Sequence, residues 1–506
     1  MTFATIRALH ASIGSAIDDL ERIYHTQPEP LDFPALDIPY YTAVAAPAPT
    51  DQKRAEELID DPAVALALQR VVSACGHLSA TVNKPLYGLQ DVTQGAAHTA
   101  CMRVLEAAHV VEILREAGPE GLHVRDIHAL VVDLRPKDCL PDPAIFTVEN
   151  LAHVLRCLAT THWLREVSPD VFANNRRSSF IDSGKTIDQL RSDPDSKYTG
   201  TNGVAASVGL NTDEATKWMS YLLEWLLPDT RAGSLVVDAQ IGAGPNGGSV
   251  KKFPTPFHIA FNTELDLYPW LELPENKSRV KRFGHAMTSS RQFEMKDDLL
   301  HGFPWAELPP DATLVDSAGG IGSASLSVIQ AYPHIKVVVE DRASTVARAP
   351  TAWGDKFTSL FASGRMSWRA RDLRTPWVPL PSGDVPDAFL IRFVLHDWPD
   401  ADCRTMLRGL RAGAGPNTKL VIGDMLLFYA CQNEDALVEK DSPLLANLGM
   451  ANLHGYLMDI MAIGAFAAKE RTIDEMAELA LSAGWKISDV RRSTGSVWAY
   501  ITAVPV

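Results

Sequence analysis

The chain has 506 residues, 46% of them hydrophobic and 22% charged, an ordinary globular composition with room for two or three domains with substantial cores. A formal net charge of −15 argues against a nucleic-acid binder, because neutralising phosphates needs a concentrated basic surface. Cys75, Cys101, Cys139, Cys157, Cys403 and Cys431 form no CxxC pair, so neither a metal site nor a disulfide framework is expected, and a reducing cytoplasm is the expected compartment. The opening MTFATIRALHASIG lacks a basic stretch followed by an apolar one, and no run reaches roughly 18 apolar residues, so neither a signal peptide nor a membrane span is expected.

Ile6, Leu9, Ile13, Ala16, Leu20 and Ile23 alternate spacings of three and four, which predicts a helix with one narrow apolar seam for packing on a partner surface. Pro28, Pro30, Pro34, Pro39, Pro47 and Pro49 then forbid a long helix, so residues 1–50 read as a helix followed by an extended strap. Residues 52–118 read as several helices, including the apolar-rich stretch Thr99 to Leu114 that ends near Gly118 and Pro119. TVENLAHVLRCLATTHWLREVSPDVFANN has the rhythm of a helix-turn-helix with a wing: Thr147 can cap a helix carrying Leu151, Val154, Leu155 and Leu158, and Trp163 to Val167 reads as strand. Winged helices often bind DNA, but the second helix offers Arg156 between two histidines and no lysine, so a structural or dimerising role is expected for residues 51–180.

Gly242-Ala243-Gly244-Pro245-Asn246-Gly247 is formally a GxGxxG after strand-like Leu235-Val236-Val237. A dinucleotide fingerprint must open into a helix that meets the pyrophosphate, and Pro245, Gly248, Pro254 and Pro256 forbid one, so this segment reads as a loop. Residues 181–300 otherwise read as a helical connector and pocket region, in which the aromatic and Met side chains are mostly core.

The last two hundred residues change character. Thr313 to Asp316 reads as a strand, Ser317-Ala318-Gly319-Gly320-Ile321-Gly322 as a glycine-rich turn, Ser323 to Tyr332 as a helix, and Lys336 to Asp341 as a second strand ending in an acid. Glycines let backbone approach a ligand closely, and an acid at the second strand end can accept both hydroxyls of a ribose, a pattern that suits NAD and S-adenosylmethionine alike. The apolar run Phe389 to Leu395 reads as a parallel strand covered on both faces, and it delivers His396 to the sheet edge where ligands gather. A helix starts near Pro399 and stops at Gly413 and Gly415, and strand Leu420-Val421-Ile422 brings Asp424 out on the same edge. His396 is therefore expected to be a catalytic base rather than a strand-end cap. Ile487 to Arg491 and Val497 to Ala503 close the chain as a hairpin, an ending that favours a methyltransferase sheet over a dehydrogenase one.

LVDSAGGIG, VVVEDR, RFVLHDWPD, VIGDMLL and AAKERTIDE, in this order and spacing, resemble the plant-type small-molecule O-methyltransferases of the caffeic acid group, and REVSPDVFANN resembles their fungal, sterigmatocystin-type relatives. The resemblance covers about residue 95 to the end, and the HDWPD and KERT pair is its specific signature. It implies a class I methyltransferase α/β fold, a mostly parallel Rossmann-like sheet with a terminal antiparallel hairpin over residues 301–506, behind an N-terminal helical and winged-helix dimerisation region. It further implies S-adenosylmethionine as cofactor, a small hydroxylated aromatic substrate and a homodimer, while the composition leads to the expectation of a cytoplasmic home with no nucleic acid and no membrane as partner. By position His396 corresponds to the catalytic base, with Asp424 and Glu470 flanking it. Gly319, Gly320 and Gly322 match the cofactor turn, Asp341 the ribose acid, Asp372 in RARDL the residue near the adenine amino group, and Arg392 the family's lysine.

The chain departs from the family pattern at three places: Ala318 replaces the first glycine, Arg392 a lysine, and Asp424 a frequent glutamate. Thr472-Ile473-Asp474-Glu475 reads as a capping box just behind Glu470. Trp398 is left between the adenine and the core. Met287, Met458 and Met461 are pocket candidates that say apolar or aromatic and little more. Two rival readings stand beside O-methylation: a protein of this fold that binds the cofactor but catalyses a pericyclic or dehydration step, and a DNA-binding or scaffold protein built on the winged helix.

Overall fold

The computed structural model describes residues 2–41, 50–227, 255–295 and 297–506, and it divides into two compact units, Met1–Phe293 and Glu294–Val506. The formal GxGxxG at 242–247 lies outside the described residues.

In the first unit, α1 (Phe3–His25) buries Leu9, Ala16 and Tyr24 and packs along α2 (Pro62–Val82). Pro62 stands at the first helical position of α2, and the Asp61 carboxylate accepts from the N–H groups of Ala63 (2.9 Å) and Val64 (3.3 Å), satisfying two donors the helix leaves orphaned. By length and composition α2 is apolar enough to cross a bilayer, contrary to the residue count above, which Gln69 and Arg70 interrupt. Arg70 is engaged within this unit, 3.0 Å from Asp19 of α1, as suits a helix packed in protein. The described residues 26–41, within the expected strap, contain no helix.

After α3 (Pro85–Thr93), the expected single stretch Thr99 to Leu114 is two helices, α4 (Gly95–Ala107) and α5 (Val110–Ala117). The break falls at His109, whose φ of 58° is incompatible with a continuing helix. The winged-helix rhythm is realised by α6 (Val124–Asp133), α7 (Val148–Thr160) and a small antiparallel sheet, β1 (Leu122–His123), β2 (Arg165–Ser168) and β3 (Val171–Ala173), in the order β1-β3-β2. Thr147 caps α7 by accepting from the Asn150 N–H at 3.1 Å, and Ile127, Val131, Leu151, Leu155, Leu158 and Phe172 close one core. Arg156 is tied to Glu166 (2.9 Å) and Asp170 (2.7 Å), so the one arginine of that helix is neutralised within the unit.

The second unit is a seven-stranded sheet in the order β6-β5-β4-β7-β8-β10-β9. β4 (Thr313–Ser317), β5 (Lys336–Asp341), β6 (Met366–Ala370), β7 (Ala388–Arg392) and β8 (Lys419–Met425) are parallel, and β9 (Trp485–Arg492) with β10 (Trp498–Pro505) adds the antiparallel ending. The expected mostly parallel sheet with a terminal hairpin is the observed one. β4, β7 and β8 are buried nearly throughout because α8 (Ser323–Ala331), α9 (Asp400–Ala412), α10 (Leu453–Phe466) and α11 (Ile473–Ser482) connect the strands as crossovers. On one face Phe389, Ile391, Leu420 and Ile422 meet Met406, Leu407 and Leu410 of α9 and Met476 and Leu479 of α11, and the Trp485 indole N–H donates to Leu407 O at 2.9 Å. The carboxyl ends of β4, β5, β7 and β8 share one edge, where every candidate site residue on the glycine turn and the HDWPD motif is delivered.

Candidate active site

β7 ends at Arg392, earlier than the expected Leu395. Phe393 then turns the backbone with a φ of 57°, held by its N–H on Gly423 O at 2.8 Å, and Leu395–Asp397 forms one 3₁₀ turn that carries His396 inward. A bulky residue at positive φ is a genuine outlier, sustained where the surroundings over-determine it. Here the Phe393 ring lies 4.3 Å from the His396 ring on one side and stacks on Trp498 at 5.5 Å on the other.

His396 is 5% exposed, Glu470 3% and Asp424 2%. His396 Nδ1 is 2.8 Å from Glu470 Oε1, while its Nε2 is buried without a hydrogen-bond partner. Glu470 Oε2 and Asp424 Oδ1 are likewise unpartnered. Buried polar atoms are normally satisfied, so three orphans around one imidazole mark a place where a ligand supplies the partners. Burial opposes a charged imidazole, yet the carboxylates of Asp397 and Glu470, the Glu470 hydrogen bond and then Asp424 outweigh it and push His396 up to about 10. Burial pushes Asp424 up to about 7 against the pull of His396, with Glu470 adding to the rise. The ligand-free cluster therefore carries a proton on the ring.

Sequence reasoning missed two residues that hold this cluster. Asp459 accepts the Glu470 backbone N–H on Oδ1 at 2.9 Å, and its signal is that it is the one acid in the otherwise apolar α10. Arg471, 2% exposed, donates to the carbonyls of Leu395 (2.9 Å) and Trp398 (3.1 Å) and to Asp400 (2.7 Å), so the arginine of KERT fastens the turn that carries His396. The capping box behind it forms as expected, with Thr472 and Glu475 reciprocally bonded.

The glycine turn lies at the end of β4. Gly319 N–H donates to Glu340 O (3.0 Å), Gly320 N–H to Asp341 Oδ2 (2.9 Å) and Gly322 N–H to Gly319 O (2.9 Å). A Cβ at Gly319 would sit 2.4 Å from the Asp316 carboxyl, and one at Gly322 2.3 Å from Met366, whereas Gly320, at φ 63°, faces open space. Asp316, buried and pushed up to about 6 by that burial, receives Ser325 Oγ at 2.5 Å. Each Asp341 oxygen takes one backbone N–H, from Gly320 and from Arg342 (2.7 Å), leaving lone pairs for a diol. The buried Ser317 hydroxyl has no partner. Open backbone at Gly320, an acid at the next strand end and an unpartnered hydroxyl between them fit a nucleoside cofactor. Ala318, the departure from the family glycine, sits at φ 60°.

The remaining candidates are placed as follows. Asp372 lies after β6 and is bound by Arg374 (2.9 Å), which holds its carboxyl below the usual range. The Arg374 guanidinium covers Trp398 at 4.9 Å, and Trp398 also packs against the core, so the ring joins the loops after β6 and β7. Arg392 is paired with Glu294. Met458 and Met461 lie half-buried on α10; Met287 belongs to the first unit and is exposed.

Residues 256–486 match the family described as O-methyltransferase domain. An O-methyltransferase of Armillaria gallica is 34% identical over 464 residues, covering 90% of this chain and 92% of that one. 4-O-methyltransferase 1 of Phanerochaete chrysosporium is 31% identical, covering 99% and 98%. Among solved structures, a LepI complex with SAM superposes with a TM-score of 0.62 at 17% identity, covering 87% of this chain and 94% of that one. The mitomycin 7-O-methyltransferase MmcR does so with a TM-score of 0.56 at 18%, covering 85% and 99%. These structural likenesses concern the fold. The likeness in sequence, at 34% identity over 90% of the chain, goes further: the chain belongs to the O-methyltransferase family.

Proposed function

We propose that this S-adenosylmethionine-dependent O-methyltransferase methylates a phenolic or enolic hydroxyl of a small aromatic metabolite, with His396 as general base. The observation that carries the assignment is the buried Nε2 of His396, which has no hydrogen-bond partner and stands 3.7 Å from the Asp397 carboxylate, while its other nitrogen is fixed by Glu470 at 2.8 Å. When bound, the cofactor supplies an electrophilic methyl group on its sulfonium. Glu470 accepts from Nδ1–H and so leaves Nε2 as the atom that faces a substrate hydroxyl. Once the resting ring has given up its Nε2 proton, Glu470 and Asp424 stabilise the imidazolium that forms again as the hydroxyl proton moves to the ring, the division of labour of a His-Asp pair. A phenol titrates near 10, close to the value the carboxylates impose on His396, so the proton is shared between matched partners at little cost. Gly319, Gly320, Gly322 and Asp341 would hold the nucleoside part.

Two further features belong to the same reading. Association into a homodimer is supported by apolar side chains exposed on α3, and a reducing intracellular home by six free thiols.

The test is purified protein with labelled S-adenosylmethionine and a panel of phenols, comparing wild type with His396→Ala. Transfer should fall by at least about a hundredfold with cofactor binding retained. Wild type that binds the cofactor and methylates none of the phenols would put the non-methylating pericyclic or dehydration reading in its place.

A further inference from the structure

The six thiols are free and widely spaced in the sequence, yet the packing of α4 on α7 sets two of them side by side. His98 Nε2 lies 2.9 Å from Thr161 Oγ1, which fixes the register where the start of α4 meets the end of α7. Cys101, one turn on from His98, and Cys157, one turn back from Thr161, are the next pair across that crossing, and their side chains are hydrogen-bonded to each other. Cys101 packs half-buried against the core of this unit, whereas Cys157 is exposed. Burial, then the charge of an ionised Cys157 and the hydrogen bond to it, push Cys101 up to about 11. Cys101 therefore stays a thiol and donates its S–H to the Cys157 sulfur.

An accessible sulfur backed by a second, protonated one is the arrangement of a thiol pair that oxidises in two steps. We propose that Cys101 and Cys157 form a reversible disulfide site that takes hydrogen peroxide as its oxidant, Cys157 meeting the peroxide and Cys101 resolving the product. The Cys157 sulfur attacks one peroxide oxygen: an S–O bond forms, the O–O bond breaks, and the departing hydroxide leaves as water with the Cys157 proton. The Cys101 sulfur then attacks the sulfenic acid: the S–S bond forms, the S–O bond breaks, and hydroxide leaves with the Cys101 proton as a second water. The two thiols lose two electrons in all, and one peroxide is reduced to two waters. A disulfide forms only where both backbones come close, a condition that thiols already in hydrogen-bond contact across two packed helices meet. The bond ties α4 to α7 and closes the chain that carries α5, β1 and α6 into a loop, restraining the unfolded state of the first unit. In a reducing compartment such a bond is a transient, sensing one, and a thiol reductant restores the pair.

The test is the reduced full chain with a small excess of hydrogen peroxide, then alkylation of the remaining thiols and peptide mapping without reductant. The peptides carrying Cys101 and Cys157 should appear linked, and dithiothreitol should return both as thiols. Cys75, Cys139 and Cys431, exposed as well, should be oxidised at least about tenfold more slowly. In Cys101→Ser the reaction should stop at the Cys157 sulfenic acid, trapped by dimedone at least about tenfold more than in wild type. Peroxide that leaves Cys101 and Cys157 open to alkylation, or that oxidises the other exposed thiols as fast, would overturn the proposal on wild type alone. So would a wild-type Cys157 linked to another chain instead of to Cys101, or one trapped by dimedone as fully as in the variant.

Discussion

With His396 as the proposed base, the burial of one imidazole among three carboxylates predicts the pH dependence of transfer. The ring keeps its proton up to about 10, and an ordinary phenol keeps its own over the same range, so one proton must leave the enzyme–substrate pair before transfer. kcat/KM for a phenol should therefore rise about tenfold per pH unit between roughly pH 6 and 8, and a flat profile there would contradict a protonated resting His396. Removing one of the raising carboxylates lowers the ring, so Glu470→Gln should bend that profile over at lower pH while reducing the plateau, because Nδ1 loses its acceptor. A second prediction concerns Ala318, whose φ of 60° costs an alanine roughly 1 kcal/mol that glycine does not bear. Ala318→Gly should raise unfolding stability in urea by about that amount; a loss of stability would mean the methyl contributes more by packing than the backbone loses. His396 was legible in the sequence because a strand, a histidine and a turn are contiguous. Glu470 was legible only through the motif. Asp459 could be singled out as the one acid of an apolar helix, but its role, one hydrogen bond across eleven residues, is announced by no local pattern.

Elements, rather than single groups, hold the catalytic turn in place. The segment after α10 is bonded to the end of β8 through Leu427 N–H on Arg471 O (3.0 Å), and from there the Arg471 side chain reaches across to the turn after β7. A lysine keeps the charge but not the fork that spans two carbonyls and Asp400. Arg471→Lys should then destabilise the protein by about 3 kcal/mol in chemical denaturation and lower kcat at least about tenfold, since the turn that aims Nε2 loses its fastening. Wild-type stability in that variant would show that the turn is held by Phe393 instead. β6 was not foreseen, and the reason lies in the sheet: Arg369 and Arg371 look like surface residues, yet both pair with the fully buried Glu340 of β5, at 2.9 Å each. Likewise the break between α4 and α5 depends on the backbone of His109, which the continuous apolar run conceals. The glycine turn, the terminal hairpin and the capped helices were readable because each is fixed by residues within one or two turns of chain.

Among the described residues, α3 presents an apolar surface that the rest of the fold does not bury. None of the residues of α3 is buried, and Leu86, Leu89 and Val92, three apart along one face, are 60%, 59% and 80% exposed. Single exposed apolar side chains need no explanation, but an apolar helix with no buried residue is the kind of surface that a partner covers. A second copy of the chain is the occupant the family resemblance implies, and the net charge of −15 does not oppose it, since the helix itself carries little charge. Light scattering of the wild type should therefore give twice the chain mass of 55.3 kDa. Leu89→Glu with Val92→Glu places two carboxylates on that face and should reduce the mass to that of one chain. Because neither side chain is packed within the chain, far-ultraviolet circular dichroism should not change, so dissociation would be separable from unfolding. A wild type that scatters as a single chain would refute self-association outright. A double variant that stays dimeric would place the contact on another face, and α3 would then have to be covered by something other than a copy of itself.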